Sequence, residues 1–210
     1  MDARDEFKRW ALRFPFMSKA DWALFEPHLE IRRVPAKAHF LVEGEVCGRM
    51  GFVTRGYFRK YYLTEKKEIT TFFNFEQDVM VEFDSFLRRA PSRYFIQAME
   101  DAEIVSFSRE AWQFAFDSTK SWERLGRITA ERYYVSVTRR VESFMFLSGE
   151  QRYLNLMEES PQIHSRVPLY LVASYLGLER ESLSRLRRKI QGAAPRSADS
   201  ASGKAVPSVT

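Results

Sequence analysis

Cysteine is nearly missing from this chain. Among 210 residues there is one, Cys47, so no internal disulfide can form and an iron–sulfur cluster has too few thiolates. It sits in the turn-like run EVCGRM and reads as an incidental loop residue. Histidine is almost as scarce. His28, His39 and His164 fall in separate segments, with none of the spacing of a metal site. No GxSxG, P-loop or HExxH occurs, so the usual frames of hydrolase, nucleotide-triphosphatase and zinc-protease chemistry are missing. No apolar run approaches the length that spans a membrane, and the opening MDARDEFKRW lacks the apolar centre of a signal peptide. These absences lead us to expect a cytoplasmic protein that is no enzyme and has no membrane partner, metal or cofactor.

Aromatic residues are plentiful instead. With 18 Phe, 15% aromatic and 45% hydrophobic residues, the chain can build one large core or two smaller ones. The net charge of +5 suits a nucleic-acid partner, though many basic proteins have none.

The most telling stretch is VPLYLVASYLGLERESLSRLRRKI, Val167 to Ile190. Leu169 to Leu176 reads as a helix, and Gly177 stands where the chain must reverse, at a position suited to positive φ. Ala173 lies four residues earlier and leaves room for a second helix to cross. Val172, Leu176, Leu178, Leu183 and Leu186 are spaced to seal the two helices together. The second helix, from about Glu179 to Ile190, is two-faced. Leu183, Leu186 and Ile190 point inward, whereas Glu181, Ser184, Arg185 and Arg188 follow one another on the opposite face, with Arg180 beside them. Glu179 stands in the N-cap region, where Ser, Thr, Asp or Asn would cap better. Such a face fits a major groove: arginine forks match guanine O6 and N7, and a carboxylate accepts from cytosine N4. Arg187, Arg188 and Lys189 are placed for phosphates, which supply affinity without sequence information. Ser182 and Ser184 complete the candidate DNA-binding set of Arg180, Glu181, Ser182, Ser184, Arg185, Arg188 and Lys189. Without the Ala–Gly–Leu turn, the same helix would read as an ordinary solvated charged one.

LVASYLGLERESLSRLRRKI resembles the DNA-binding motif of the Crp/Fnr family, the cyclic-AMP-receptor-like transcription regulators. In that family an R-E-x-x-x-R run opening the recognition helix contacts bases, and Arg180, Glu181 and Arg185 occupy those positions. The resemblance implies an α+β architecture: an N-terminal antiparallel β-roll of the jelly-roll, cyclic-nucleotide-binding type, a long dimerisation helix, and a C-terminal helix-turn-helix domain like a winged helix. It also implies a homodimer on a palindromic double-stranded operator, with RNA polymerase and a small-molecule effector as further partners. The single cysteine is too few for the iron–sulfur cluster of the oxygen-sensing members.

Along the chain, residues 4–13 and 18–28 read as helices, the first stopped by Pro15 and the second capped by Ser18. From Glu30 short β-branched and aromatic runs follow: EIRRV, HFLVE, MGFVT, YFRKYYL, EITTFFNF, RYFIQAM and EIVSFS. Seven or so strands this close together predict an antiparallel roll, with Gly44 and Gly56 at hairpin turns. VPAKAHFLVEGEVCGRMGFVTRGYFRKY resembles the front half of the family's roll.

The family's ligand cassette carries Gly-Glu-Leu on a short helix and, about ten residues on, an arginine for the cyclic phosphate. The matching segment here is DVMVEFDSFLRRAPSRYFIQA. Glu82 aligns with the glutamate, but Val81 replaces the glycine and Ser92 the arginine, with Arg93 one residue beyond. Since a one-residue slip on a strand sends a side chain to the other face, Arg93 serves only if a bulge at Pro91 absorbs it. Glu82 and Arg93 are the candidate ligand-binding residues, and cyclic AMP is not the expected ligand.

A short helix is predicted over 109–116 and a long one over about 118–147. Trp122, Leu125, Thr129, Tyr133, Val137, Val141 and Phe144 share one face. That face either lies against the roll or pairs with its twin across a two-fold axis, with Val137 in the seam. Gly149 reads as a hinge, EQRYLNLMEESP as a helix with Tyr153, Leu154 and Met157 apolar, and IHSRV as a short wing strand. The expected divisions are 1–117 for the sensor roll, 118–148 for the long helix, 149–191 for the DNA-binding domain and 192–210 for a disordered tail. The Ala/Ser/Gly/Pro-rich tail leaves the wing after the recognition helix truncated or absent. Two other readings remain: a cyclic-nucleotide or small-ligand receptor acting through protein partners, and a constitutive DNA binder whose roll only holds the dimer.

Overall fold

The structure is a computed structural model that describes residues 2–193. Two helices open the chain, α1 (Ala3–Ala11) and α2 (Lys19–Phe25). Ser18 caps α2 in a capping box with Asp21, and a 3-10 turn over Glu26–His28 leads into the strands.

The strands are β1 (Glu30–Val34), β2 (His39–Leu41), β3 (Arg49–Arg55), β4 (Phe58–Leu63), β5 (Glu68–Asn74), β6 (Val79–Met80), β7 (Phe95–Ala98) and β8 (Ala102–Ser108). They form two antiparallel sheets of four, ordered β1-β8-β3-β6 and β2-β7-β4-β5. The roll is therefore as expected, with one strand more. β6 is two residues long, too short for its alternation to register. Gly44 and Gly56 are not at hairpins. Each lies where the chain crosses between sheets, from β2 to β3 and from β3 to β4. The true hairpin joins β4 to β5, Leu63 opposite Glu68.

The short helix α3 (Phe83–Arg88) interrupts the roll between β6 and β7. After β8 come α4 (Arg109–Ser118) and the long α5 (Lys120–Phe146), 27 residues or ~40 Å at 1.5 Å per residue. The C-terminal part has α6 (Gly149–Glu159), α7 (Ile163–Arg166), α8 (Leu169–Leu176) and α9 (Arg180–Ala193). IHSR is thus a helical turn and not a strand. Residues 160–163 close it, since Ile163 N–H donates to Ser160 O and Val167 N–H to Ile163 O. α9 continues through Gly192 and Ala193, past the expected start of the tail; the rest of the tail expectation lies outside the described residues.

The main core is aromatic. Phe7 stacks on Phe52 with centroids 4.7 Å apart and meets Trp22 edge-on at 5.5 Å. Trp122 and Leu125 at the start of α5 are buried in the same cluster. A second core gathers Ile163, Leu171, Val172, Leu176 and Leu183 from the C-terminal helices, but also Tyr57, Phe73 and Phe75 from the roll. The boundary expected at residue 149 therefore cuts across a shared core.

α5 is apolar on two sides, one packed on the roll and one exposed. Trp122 and Leu125 are buried against the roll, and Tyr133 packs on Phe83 and Phe72 at 4.8 and 5.8 Å. Val137 is half-buried and continues this inward stripe. The exposed apolar stripe is a different one: Tyr134, Val135, Val141, Met145 and Phe146. Of the seven residues read as one face, Val141 belongs to it, and Phe144 is exposed beside it, 44% accessible, with its ring against Gly177. Spacing shows that a helix has an apolar face but not which neighbour takes it.

Gly149 is no hinge. It is the first residue of α6, behind an N-cap at Ser148, and a Cβ there would come 2.7 Å from Leu178 Cδ2. The break falls at Leu147, whose backbone is extended. On α6, Tyr153 and Leu156 are buried, while Leu154 faces outward.

Candidate nucleic-acid interface

α8 ends where glycine was expected to end it. Gly177 has φ +65°, and Leu178 N–H donates to Ala173 O at 2.9 Å across the turn, the six-to-one bond of a Schellman cap. A Cβ on Gly177 would stand 2.8 Å from the Phe144 ring, so α5 presses directly on the turn. Ala173 and Leu183 are buried at the helix crossing, with Leu178, Leu186 and Ile190 packed around them.

That packing fixes the rotation of α9. Arg180, Glu181, Ser182, Arg185, Arg188 and Lys189 are exposed, and Ser184 is half-exposed. The seven candidate residues are thus on the solvent side of one helix. Their partners divide them. Lys189 pairs with Glu150 at 3.0 Å, which offsets much of its charge. Arg187, half-buried, meets His164 Nε2 at 2.9 Å and belongs to the helix packing. Arg180, Arg185 and Arg188 make no ion pair among the described residues. Among the described residues Arg185 has one side-chain hydrogen bond, to the Ser182 hydroxyl at 3.5 Å.

Beneath this face lies a polar seam that joins α7, α8 and the start of α9 to the roll. Arg166 forks onto Glu76 at 2.7 and 2.8 Å and also bonds Glu100. Burial alone would raise the Glu76 carboxyl, but the Arg166 fork and the Gly56 N–H outweigh it and hold that carboxyl below its usual range. The Tyr57 hydroxyl donates to Arg166 O at 3.0 Å. Ser174 spans the sheet edge: its hydroxyl accepts from Thr70 N–H at 2.9 Å and donates to Glu68 O at 3.1 Å. β5 is an edge strand, and α8 thereby covers backbone groups that would otherwise be open. Arg140 on α5 donates to Tyr175 O at 2.8 Å, and Arg152 on α6 to Leu176 O at 3.1 Å, so the last carbonyls of α8 are taken up by guanidinium groups. Glu179 meets Lys67 of the β4–β5 turn at 3.3 Å. None of the seam residues was identified from sequence in this role; Leu176 and Glu179 were singled out for others. The partners of the seam residues lie 35 to 112 residues away, except for the Arg152–Leu176 bond, where the separation is 24, and the Gly56–Glu76 bond, where it is 20.

The ligand cassette does not assemble. Glu82 is buried and spends its carboxylate as the N-cap of α3, accepting from Ser85 N–H at 2.7 Å. Ser92 is buried and Arg93 is exposed. Pro91 makes only an isolated bridge to Val46, and no bulge there turns Arg93 inward. Two cations of β4 are buried, Arg59, which pairs with Glu68, and on the Glu82 side Lys60, whose side chain is 8% exposed with Nζ 3.9 Å from Glu82 Oε1. The run FRKYYL hid both, because a basic pair in a strand reads as outward-facing. Cys47 is also buried, and that burial raises its thiol above the usual range, which makes it a poor nucleophile.

No protein-family model matches the chain, and no curated protein matches it. Solved structures do. FixK2 from Bradyrhizobium japonicum matches with a TM-score of 0.68 and 17% identity, over 81% of this chain and 89% of that one. CLP from Xanthomonas campestris, a c-di-GMP responsive global regulator, matches at 0.65 with 19% identity, over 83% and 92%. A CooA mutant from Carboxydothermus hydrogenoformans matches at 0.64 with 17% identity, over 81% and 79%. At such identities the likeness shows fold. The fold is Crp/Fnr-like: a β-roll, a long helix and a C-terminal group of helices in that order. No helix among the described residues is long and apolar enough to cross a membrane.

Proposed function

We propose that the protein is a homodimeric, sequence-specific DNA-binding transcription regulator of the Crp/Fnr type, not gated by cyclic AMP. The observation that carries this reading is the outer face of α9, where Arg180, Arg185 and Arg188 are exposed and without an ion pair among the described residues. An arginine fork left open at a helix start matches the paired acceptors of guanine, and Glu181 beside it matches cytosine N4. Arg188 and the hydroxyls of Ser182 and Ser184 suit phosphate oxygens, with Lys189 weaker because Glu150 holds it.

The exposed apolar stripe of α5 supports a second copy as partner. Val141 and Phe146 are 53% and 73% exposed, on a helix whose other side is already packed. Single exposed apolar residues are ordinary, but a run of them along one helix face marks an interface. Two recognition helices related by such an axis would meet successive major grooves about 34 Å apart. RNA polymerase is the further partner this reading implies. A receptor acting through protein contacts, the other reading, gives no role to open arginines on a polar helix face.

Selection of bound sequences from a random DNA pool tests the proposal. A palindromic consensus with half-sites one helical turn apart is the expected result, and recovery of unrelated sequences would refute it. Val141→Glu should give monomers in sedimentation, and a persisting dimer would move the interface elsewhere.

A further inference from the structure

The tip of the β4–β5 hairpin is held beside the start of α9 by two contacts. On α8, just before Gly177, the Ser174 hydroxyl accepts from Thr70 N–H at 2.9 Å and donates to Glu68 O at 3.1 Å. Lys67 Nζ stands 3.3 Å from Glu179 Oε1, one residue before α9 begins. The turn itself is pinned. Thr64 N–H donates to Lys67 O at 2.9 Å, and the Thr64 hydroxyl accepts from Lys67 N–H at 3.0 Å. Lys66 and Lys67 are both exposed there. We propose that this turn of the roll is a second DNA contact, in which Lys66 and Lys67 bind backbone phosphates at the edge of the half-site that α9 reads. The proposal rests on the DNA-reading role of α9.

Position carries the argument. A recognition helix enters the major groove with its N-terminal residues nearest the bases. That groove is about 12 Å wide and is walled by the two phosphate backbones. A side chain fixed beside the helix start, but outside the helix, therefore meets a wall and not a base edge. Lys67 already reaches Glu179, next to Arg180 in the chain.

The partner it has now is easily exchanged. The Lys67 and Glu179 side chains are 62% and 77% exposed, and an ion pair so open to water contributes little. Lys66 makes no ion pair among the described residues. Glu68 is taken up by Arg59 at 2.5 Å. Glu65 and Glu179 oppose the two lysines, so the contribution expected is one or two counterions and no more. Because the turn belongs to the roll, both parts of the chain would hold one half-site, with the seam closed between them.

Fluorescence anisotropy on the full chain and the selected operator, across a salt series, tests this. Lys66→Gln with Lys67→Gln should lower the slope of log affinity against log salt by about one to two. Affinity should fall about tenfold at low salt, and equally on operator and unrelated DNA, since phosphates carry no sequence. Glu179→Gln should tighten binding about twofold or more, and less so when Lys67→Gln is already present. All three positions are exposed, so the melting temperatures should match the parent's. An unchanged slope and affinity in the double variant, or a loss on the operator alone, would overturn the proposal. A double variant that binds DNA like the parent but no longer engages a protein partner would overturn it too, and give the turn to that partner. In each of those cases operator binding that still depends on Arg185 leaves the reading of α9 standing. A parent that selects no sequence refutes that reading, and this proposal with it.

Discussion

The arginines of the seam and the arginines of the outer face of α9 lie within one small group of helices, yet their circumstances are opposite. Arg166 is bonded to two carboxylates, and Arg140 and Arg152 to carbonyls at the end of α8. Arg180, Arg185 and Arg188 meet no carboxylate among the described residues. An arginine whose fork is used inside the fold contributes to stability, whereas one left open contributes little there and is available to a ligand. Residue type therefore says less about role than the partners the fold supplies.

Breaking the seam should have the largest effect. Arg166→Leu leaves Glu76 and Glu100 facing each other without their cation, and about 2–3 kcal/mol of stability should be lost. For a chain of this size that is a fall in Tm of about 4–12 °C, read by calorimetry. Arg185→Ala in the same experiment should stay within about 0.5 kcal/mol of the parent. Equal losses would erase the distinction between the two groups.

On DNA the ranking should reverse. Arg185→Ala should cost about 1–3 kcal/mol of specific binding and relax the preference at one base pair per half-site. A loss of the same size on every sequence would make Arg185 a phosphate contact.

Acid sharpens the comparison further, because only the seam contains a carboxyl held down by arginine. The folded Glu76 carboxyl lies below its ordinary value of 4.5, so its contribution is complete above that pH and is lost as pH falls through the lowered value. Urea melts between neutral pH and about pH 3.5 should show a loss of stability that Glu76→Gln reduces. An acid limb unchanged in Glu76→Gln would remove this residue from the account.

The smallest effect expected is on salt dependence. Arg188→Ala should lower the slope of log affinity against log salt by about one, and Lys189→Ala by less than one, since Glu150 already competes for Lys189. Equal slopes for the two variants would mean that the pair opens on binding.

What could be read in advance follows the distance over which each feature is decided. The helix-turn-helix is local: the bounds of α8, the reversal at Gly177 and the inward set of α9 all follow from spacing within 22 residues, Leu169 to Ile190. Most strands were legible for the same reason. Sheet order was not, so Gly44 and Gly56 were taken for hairpin turns when they are crossings between sheets. IHSR has β-branched Ile163 and weak helix formers in His164 and Ser165, with Arg166 alone favouring helix, yet the turn after Pro161 closes it into helix. Lys60 escaped because only the closed roll shows that its side chain points inward.

The central claim is that Arg185 reads a base. It is tested most directly by fluorescence anisotropy with two proteins, the parent and Arg185→Ala, and two duplexes, the selected operator and one with its key guanine replaced. Either change alone should weaken binding about tenfold or more, and both together should cost no more than the larger single loss. Losses that simply add would show that Arg185 and that base do not meet, and the reading face would have to be assigned elsewhere.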